Sequence, residues 1–170
     1  GVDMSTGSLG QGISAACGMA LAAKHQGRSC RVYALLGDGE IQEGQPWEAF
    51  MFAHQYKLDN LCAIIDNNGL QIDGRVEDVM SPYPIVDKLK AFGWEVAEID
   101  GHDFEQMESA FAKAREVKGA PTAIVMNTMK GKGVSYMEDQ AGWHGKAPND
   151  EEYEIAMNEL RAQLAEVEAM

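Results

Sequence analysis

Arg31–Gly39 reads RVYALLGDG: six residues of β character, Arg31–Leu36, followed at once by a carboxylate between two glycines, Gly37-Asp38-Gly39. The design returns one unit later, where Leu61–Ile65 (LCAII) ends in Asp66-Asn67-Asn68-Gly69-Leu70. Trp94–Ile99 (WEVAEI) and Thr122–Met126 (TAIVM) complete a set of four predicted strands. LCAII and TAIVM are almost continuously apolar, which suits strands covered on both faces. Helical stretches alternate with them: alanine-rich Ile13–His25, aromatic Trp47–Tyr56, Ile85–Phe92 after two prolines, and Phe104–Val117. Asp103, three residues ahead of Gln106, gives the last of these a capping-box-like start, and Gly119 and Pro121 punctuate its end. Repeated β-α-β units with short connections predict an α/β fold, an open parallel sheet with helices on both faces.

The 170 residues suit one domain, and neither an internal repeat nor a Pro/Ser linker suggests a boundary, so 1–170 is expected to be a single unit. An apolar content of 45% with 24% charged residues is that of a globular protein rather than a disordered one. Lys and Arg number 14 against 27 Asp and Glu, a formal net charge of −13. That acidity argues against a nucleic-acid partner while leaving room for a local site for a phosphorylated ligand. No apolar run approaches the roughly 18 residues of a membrane helix and no charged-then-apolar leader is seen, so no membrane partner and a cytoplasmic location are expected. Cys17, Cys30 and Cys62 form no CxxC pair and read as small buried hydrophobes in a reducing compartment. The chain opens Gly-Val-Asp-Met, which predicts a missing N-terminal segment.

From about Asn149 a final helix is expected. Tyr153, Met157, Leu160, Leu164 and Val167 recur at helical spacing, and Glu151, Glu152, Glu159, Glu166 and Glu168 read as a solvated face. Gly131 to Pro148 is the longest segment without periodicity, of a length that is often functional in compact domains.

The chemistry concentrates where the strands end. In open α/β sheets, ligands bind in the crevice outside the carboxyl ends of the strands. Gly37 and Gly39 would let backbone approach a ligand closely while Asp38 points into that crevice, although a bare Gly-Asp-Gly also makes ordinary turns. Thirty residues separate Asp38 from Asn68, so two parallel strands would bring both side chains to one edge. A carboxylate, an amide oxygen and a backbone carbonyl are hard donors that suit Mg²⁺ or Ca²⁺, and Mg²⁺ often shares its shell with phosphate oxygens. Thr6–Gly12 (TGSLGQG) could turn helix-start N–H groups toward an anion, but it is not the dinucleotide fingerprint. Met129–Ser135 lacks the order of a P-loop.

Together, Thr6–Gly12, Gly37–Gly44 (GDGEIQEG) with Trp47-Glu48-Ala49, Asp66–Gly74 (DNNGLQIDG), Lys130–Gly133 (KGKG) and Trp143-His144-Gly145 resemble the thiamine-diphosphate-binding half of transketolase. The resemblance covers most of the chain, and without a pyrimidine-binding domain the chain resembles the N-terminal subunit of a split transketolase. It implies a thiamine-diphosphate fold, with Mg²⁺ (or Ca²⁺) held by the side chains of Asp38 and Asn68 and the carbonyl of Leu70. By the same resemblance Gly37 and Gly39 would lie against the diphosphate, Gly7, Leu9 and Ile72 against the rest of the cofactor, and His144 near the diphosphate and substrate carbonyl as a proton donor or acceptor. Glu43 and Glu48 would be acidic residues near a subunit interface, and burial there would raise their pKa values and let them share protons. His25, His54 and His102 carry no motif and read as surface or packing residues.

The implied activity is transfer of a two-carbon ketol group between a ketose phosphate and an aldose. The implied partner is a C-terminal subunit carrying the pyrimidine-binding domain absent from this chain, in an α2β2 heterotetramer or larger; alone the chain would be inactive. Two alternatives stay open: a subunit of another thiamine-diphosphate enzyme (deoxyxylulose-phosphate-synthase-like or 2-oxo-acid-decarboxylating), and a non-catalytic scaffold of the same fold, against which intact Asp38, Gly39 and Asn68 speak.

Overall fold

A computed structural model describes residues 1–169. The elements run α1 (Gly12–His25), β1 (Val32–Gly37), a 3-10 turn (Glu40–Gln42), α2 (Gly44–Gln55), β2 (Leu61–Asn67), β3 (Leu70–Gln71), β4 (Gly74–Arg75), α3 (Val76–Met80), α4 (Ile85–Ala91), β5 (Glu95–Asp100), α5 (Phe104–Glu116), β6 (Thr122–Asn127), a second 3-10 turn (Ala141–Trp143) and α6 (Asp150–Glu168). Four strands form one parallel sheet in the order β1-β2-β6-β5, and β3 and β4 make a small antiparallel ladder. Each of the four strands predicted from apolar runs is present, and the fold is α/β with a parallel sheet and helices.

Period-two burial divides the sheet between two cores. Leu36, Ala63, Ile65, Ala123 and Val125 face α1, α2 and α4, where Ile13, Ala16, Ala20, Phe50, Ala53 and Leu89 meet them. Cys62, Ile124 and Met126 face α5 through Ala110 and Ala114. The alanines let α1 lie close to the strands. Phe50 is fully buried, edge-on to Trp47 and Trp94 with ring centroids 5.4 and 5.2 Å away, and Trp94 Nε1 donates to the Phe50 carbonyl at 3.0 Å. Such pairs add to area burial and satisfy the indole N–H. No helix among the described residues is long and apolar enough to cross a membrane.

Several sequence expectations need correction. Cys30 is exposed, unlike Cys17 and Cys62, because it lies in the connection ahead of β1 rather than in a core. Along α6 only Ala156 is buried; Tyr153, Leu160, Leu164 and Val167 are exposed. Two of the glutamates assigned to a solvated face are engaged instead. Glu152 closes a reciprocal capping box with Asn149, and Glu159 accepts from the backbone N–H of Ser135 at 2.7 Å and from its hydroxyl at 2.5 Å. The β3–β4 ladder and α3 were not foreseen. Strands of two residues show no alternation, and a helix of five shows no period.

Candidate functional site at the carboxyl edge of the sheet

Parallel pairing sets Gly37 opposite Asp66, and the ladder runs one residue further when Asp38 N donates to the Asp66 carbonyl at 3.1 Å. Beyond that rung β1 leaves the sheet, while β2 stays paired with β6 for one residue more, to Asn67, and the Gly37-Asp38-Gly39 and Asn68-Gly69 turns come together. Asp38 is only 1% exposed. Its carboxylate accepts from Gly39 N at 2.8 Å and from Gly69 N at 2.6 Å, which ties the two turns. Burial pushes this carboxyl above the usual carboxylate range, the N–H groups of Gly69 and Gly39 pull it back, and the nearby charge of Asp66 adds to the rise. Among the described residues no lysine, arginine or histidine forms an ion pair with it. A buried carboxylate with spare lone pairs and no cationic partner is an electrostatic debt that a bound cation would cancel.

The neighbouring side chains orient the second donor. Asp66 accepts from the Thr128 hydroxyl on one oxygen and from Asn68 Nδ2 at 3.1 Å on the other. A carboxylate only accepts, so the Asn68 amide must offer it nitrogen. The Asn68 oxygen is thereby turned away from Asp66; it accepts from Leu70 N at 2.9 Å and keeps a second lone pair. No group of three or more His, Cys, Asp or Glu able to hold a metal occurs among the described residues. With Glu40 and Asp66 bonded to their own neighbours, Asp38, the Asn68 oxygen and backbone carbonyls are a donor set that fits a hard cation completing its shell with ligand oxygens.

Gly39 is required by contact. A Cβ there would lie 2.8 Å from Gln71 Cβ, closer than real Cβ atoms come, so the hairpin and the Asp38 turn can touch only with glycine at this position. Leu9 and Ile72 are 59% and 66% exposed and Gly7 is exposed; Leu9 precedes Gly10, which is bonded to Glu40, and Ile72 lies in the connection between β3 and β4. His144 follows the Ala141–Trp143 turn, which lies against β4, the second strand of the Leu70–Arg75 ladder. Trp143 holds this turn by donating Nε1 to the Tyr136 carbonyl at 3.1 Å and by stacking under Lys146 Nζ, 4.0 Å above its ring. The His144 imidazole itself is exposed and forms no hydrogen bond among the described residues. Glu43 and Glu48 lie at the cap of α2 and on it, and both are exposed in the chain, so the expected burial is not found within it.

Sequence reasoning missed Glu40, Asp66 in its orienting role, Thr128 and Gln71. Glu40 follows the Gly-Asp-Gly directly, and its two oxygens accept from Gly10 N and Gly37 N, each at 3.1 Å. His102, read as a motif-free surface residue, accepts from Met129 N at 2.8 Å, fixing the start of the Lys130–Gly133 segment.

With this geometry in view, the chain can be set beside known proteins. Residues 1–165 match the family described as transketolase, thiamine diphosphate binding domain. The 6-deoxy-6-sulfo-D-fructose transketolase subunit SqwG of Clostridium sp. (strain MSTE9) is 45% identical over 165 residues, covering 97% of this chain and 60% of that protein. An apulose-4-phosphate transketolase subunit of Phocaeicola vulgatus is 45% identical over 168 residues, 99% of this chain and 60% of its own length. A crystal structure of transketolase from Campylobacter jejuni subsp. jejuni superimposes with a TM-score of 0.87 at 34% identity, over 93% of this chain and 26% of that one. The chain thus spans 60% of the length of these two curated relatives.

Proposed function

The chain belongs to the family of transketolase thiamine-diphosphate-binding domains, and on that premise we propose that it is the diphosphate-binding subunit of a split transketolase. In this reading a two-carbon ketol unit passes from a ketose to an aldose: the donor's C2–C3 bond breaks, a carbon–carbon bond forms at the acceptor aldehyde, and nothing is oxidised overall. The names of the two relatives above refer to a sulfo-fructose and to apulose-4-phosphate, which favours a ketose with an anionic end as donor. Both relatives are named as subunits, which also favours a separate C-terminal partner carrying the pyrimidine-binding domain, in an α2β2 or larger assembly.

The bound cofactor supplies the carbanion stabilisation, and the protein supplies position, metal and proton transfer. Asp38 and Asn68, with the Leu70 carbonyl, would hold Mg²⁺. Gly37 and Gly39 would give the diphosphate close access to backbone, while Leu9 and Ile72 exclude water and Gly7 lies alongside. His144, with an exposed imidazole free of hydrogen bonds among the described residues, would exchange a proton with the substrate carbonyl. Glu43 and Glu48 become buried only when a second protomer covers α2, and there their protons could be shared.

The observation that carries this reading is Asp38, buried and without a cation beside it, facing the Asn68 turn in a chain of this family. Calorimetric titration of thiamine diphosphate tests it, using the assembly with its partner, in Mg²⁺ and then in EDTA, with Asp38→Ala as control. Heat that requires Mg²⁺ and vanishes in the variant is expected. Equal affinity in the variant would sink the metal assignment.

A further inference from the structure

Residues 1–9 are all exposed, yet this segment carries Gly7 and Leu9. Its internal bonds are local: Gln11 N donates to the Ser8 carbonyl, and the Gln11 carbonyl receives the first N–H groups of α1. Among the described residues one hydrogen bond joins residues 1–11 to the strand ends, and it runs from Gly10 N to Glu40 Oε1 at 3.1 Å. The other oxygen of the same carboxylate accepts from Gly37 N at 3.1 Å, at the last residue of β1. Gly10 has φ +79, and a Cβ there would lie 2.9 Å from Glu43 Cβ, so the loop bends sharply against this turn at a position that only glycine fits.

We propose that Glu40 is a positioning residue, a two-oxygen clamp that holds the Thr6–Gly12 loop against the Gly37-Asp38-Gly39 turn. Both oxygens are engaged by backbone N–H groups thirty residues apart in sequence on one side and three on the other, so the clamp needs a carboxylate. An amide offers a single oxygen and would satisfy one N–H while setting its NH₂ against the other. The clamp stands on this geometry alone; its consequence for affinity rests on the cofactor reading above.

Hydrogen exchange on the full assembly, beside thiamine diphosphate titration in Mg²⁺, tests it in wild type, Glu40→Gln and Glu40→Ala. Loss of a hydrogen bond to a charged group predicts that the Gly10 amide exchanges about ten- to a hundredfold faster in Glu40→Ala, with β1 and β2 amides unchanged. Glu40→Gln should fall between. The thiamine diphosphate dissociation constant should rise by about tenfold in Glu40→Ala while turnover at saturating cofactor holds, because a floppier loop must be ordered on binding. Unaltered exchange at Gly10 in both variants would overturn the clamp. Faster exchange with unaltered affinity would overturn its positioning role. If wild type binds no thiamine diphosphate, the cofactor reading fails, and the exchange arm still decides the clamp.

Discussion

Asp38→Asn separates a residue kept for a ligand from one kept for the fold. The carboxylate accepts from Gly39 N and Gly69 N, and the amide can keep only one of these bonds. Losing a hydrogen bond to a charged group costs about 1.5–3 kcal/mol. Against this, the amide abolishes the burial penalty and the repulsion from Asp66, the two causes that raise the carboxyl's pKa. The two effects oppose each other, so without cofactor the variant should melt within a few degrees of wild type. Thiamine diphosphate and Mg²⁺ at a hundredfold the dissociation constant should add about 2.7 kcal/mol to wild type. For a chain of this length each kcal/mol is roughly 2–4 °C, so wild type should gain roughly 5–11 °C and the variant none. Scanning calorimetry of the full assembly with Mg²⁺ and with EDTA measures both. A variant that gains as much as wild type refutes the metal role, and one that melts tens of degrees early without cofactor makes Asp38 structural. The pH dependence carries its own sign. With a folded pKa above the ordinary 3.8, the folded chain holds more protons than the unfolded one between the two values. The contribution of Asp38 to cofactor-free stability should therefore be full below 3.8 and be lost as pH rises through the folded value, so the difference between wild type and Asp38→Asn should change with pH in that direction.

Other perturbations probe the surroundings. Gly39→Ala should destabilise the chain by about 1–3 kcal/mol in urea denaturation, and adding Gln71→Gly should recover most of the loss, since the clash is with the Gln71 side chain; additive losses would count against the contact. Asp66→Asn frees the Asn68 amide to turn either face outward, so Mg²⁺-dependent cofactor binding should weaken with little change in melting temperature. A variant binding Mg²⁺ as tightly as wild type would show that Asp66 does not set the amide. Cys30 is exposed while burial pushes the Cys17 and Cys62 thiols up to about 11. One thiol per native chain should react quickly with a disulfide reagent at neutral pH and all three after unfolding; fast native labelling of Cys62 would contradict its place against α5.

The parts of this molecule that repeat were legible in the sequence. Strand and helix positions followed from apolar periodicity, and their ends shifted by one to three residues because strand hydrogen bonding continues into the polar turn, as at Asp66 and Asn67 in β2. The pairing of Asp38 with the Asn68 turn was legible because parallel topology converts a spacing of one β-α-β unit into proximity. What stayed hidden were bonds whose partners share no pattern. Glu40 to Gly10, Thr128 to Asp66 and His102 to Met129 join residues 27 to 62 apart, and each uses a backbone N–H or a hydroxyl that any sequence offers. The exposed Tyr153, Leu160 and Leu164 show the converse, since helical spacing marks a face but not what covers it.

The site's acidity makes the strongest physical case for a cation. Asp38, Glu40 and Asp66 crowd one edge of a chain whose net charge is −13, an adverse setting for a diphosphate. Each of the three is met by two neutral donors: Glu40 by Gly10 N and Gly37 N, Asp66 by the Thr128 hydroxyl and the Asn68 amide, Asp38 by Gly39 N and Gly69 N. Neutral donors screen these charges from a neighbouring anion without removing them. Asp38 differs in being fully buried where Glu40 and Asp66 are half-buried, so its charge is the least screened by solvent, and none of the three forms an ion pair among the described residues. An anionic ligand could approach only with its own divalent cation, whose charge serves Asp38 and the phosphate oxygens at once. Diphosphate offered without metal should therefore be repelled rather than weakly held, and a metal-free affinity within about tenfold of the Mg²⁺ value would break this argument at its base.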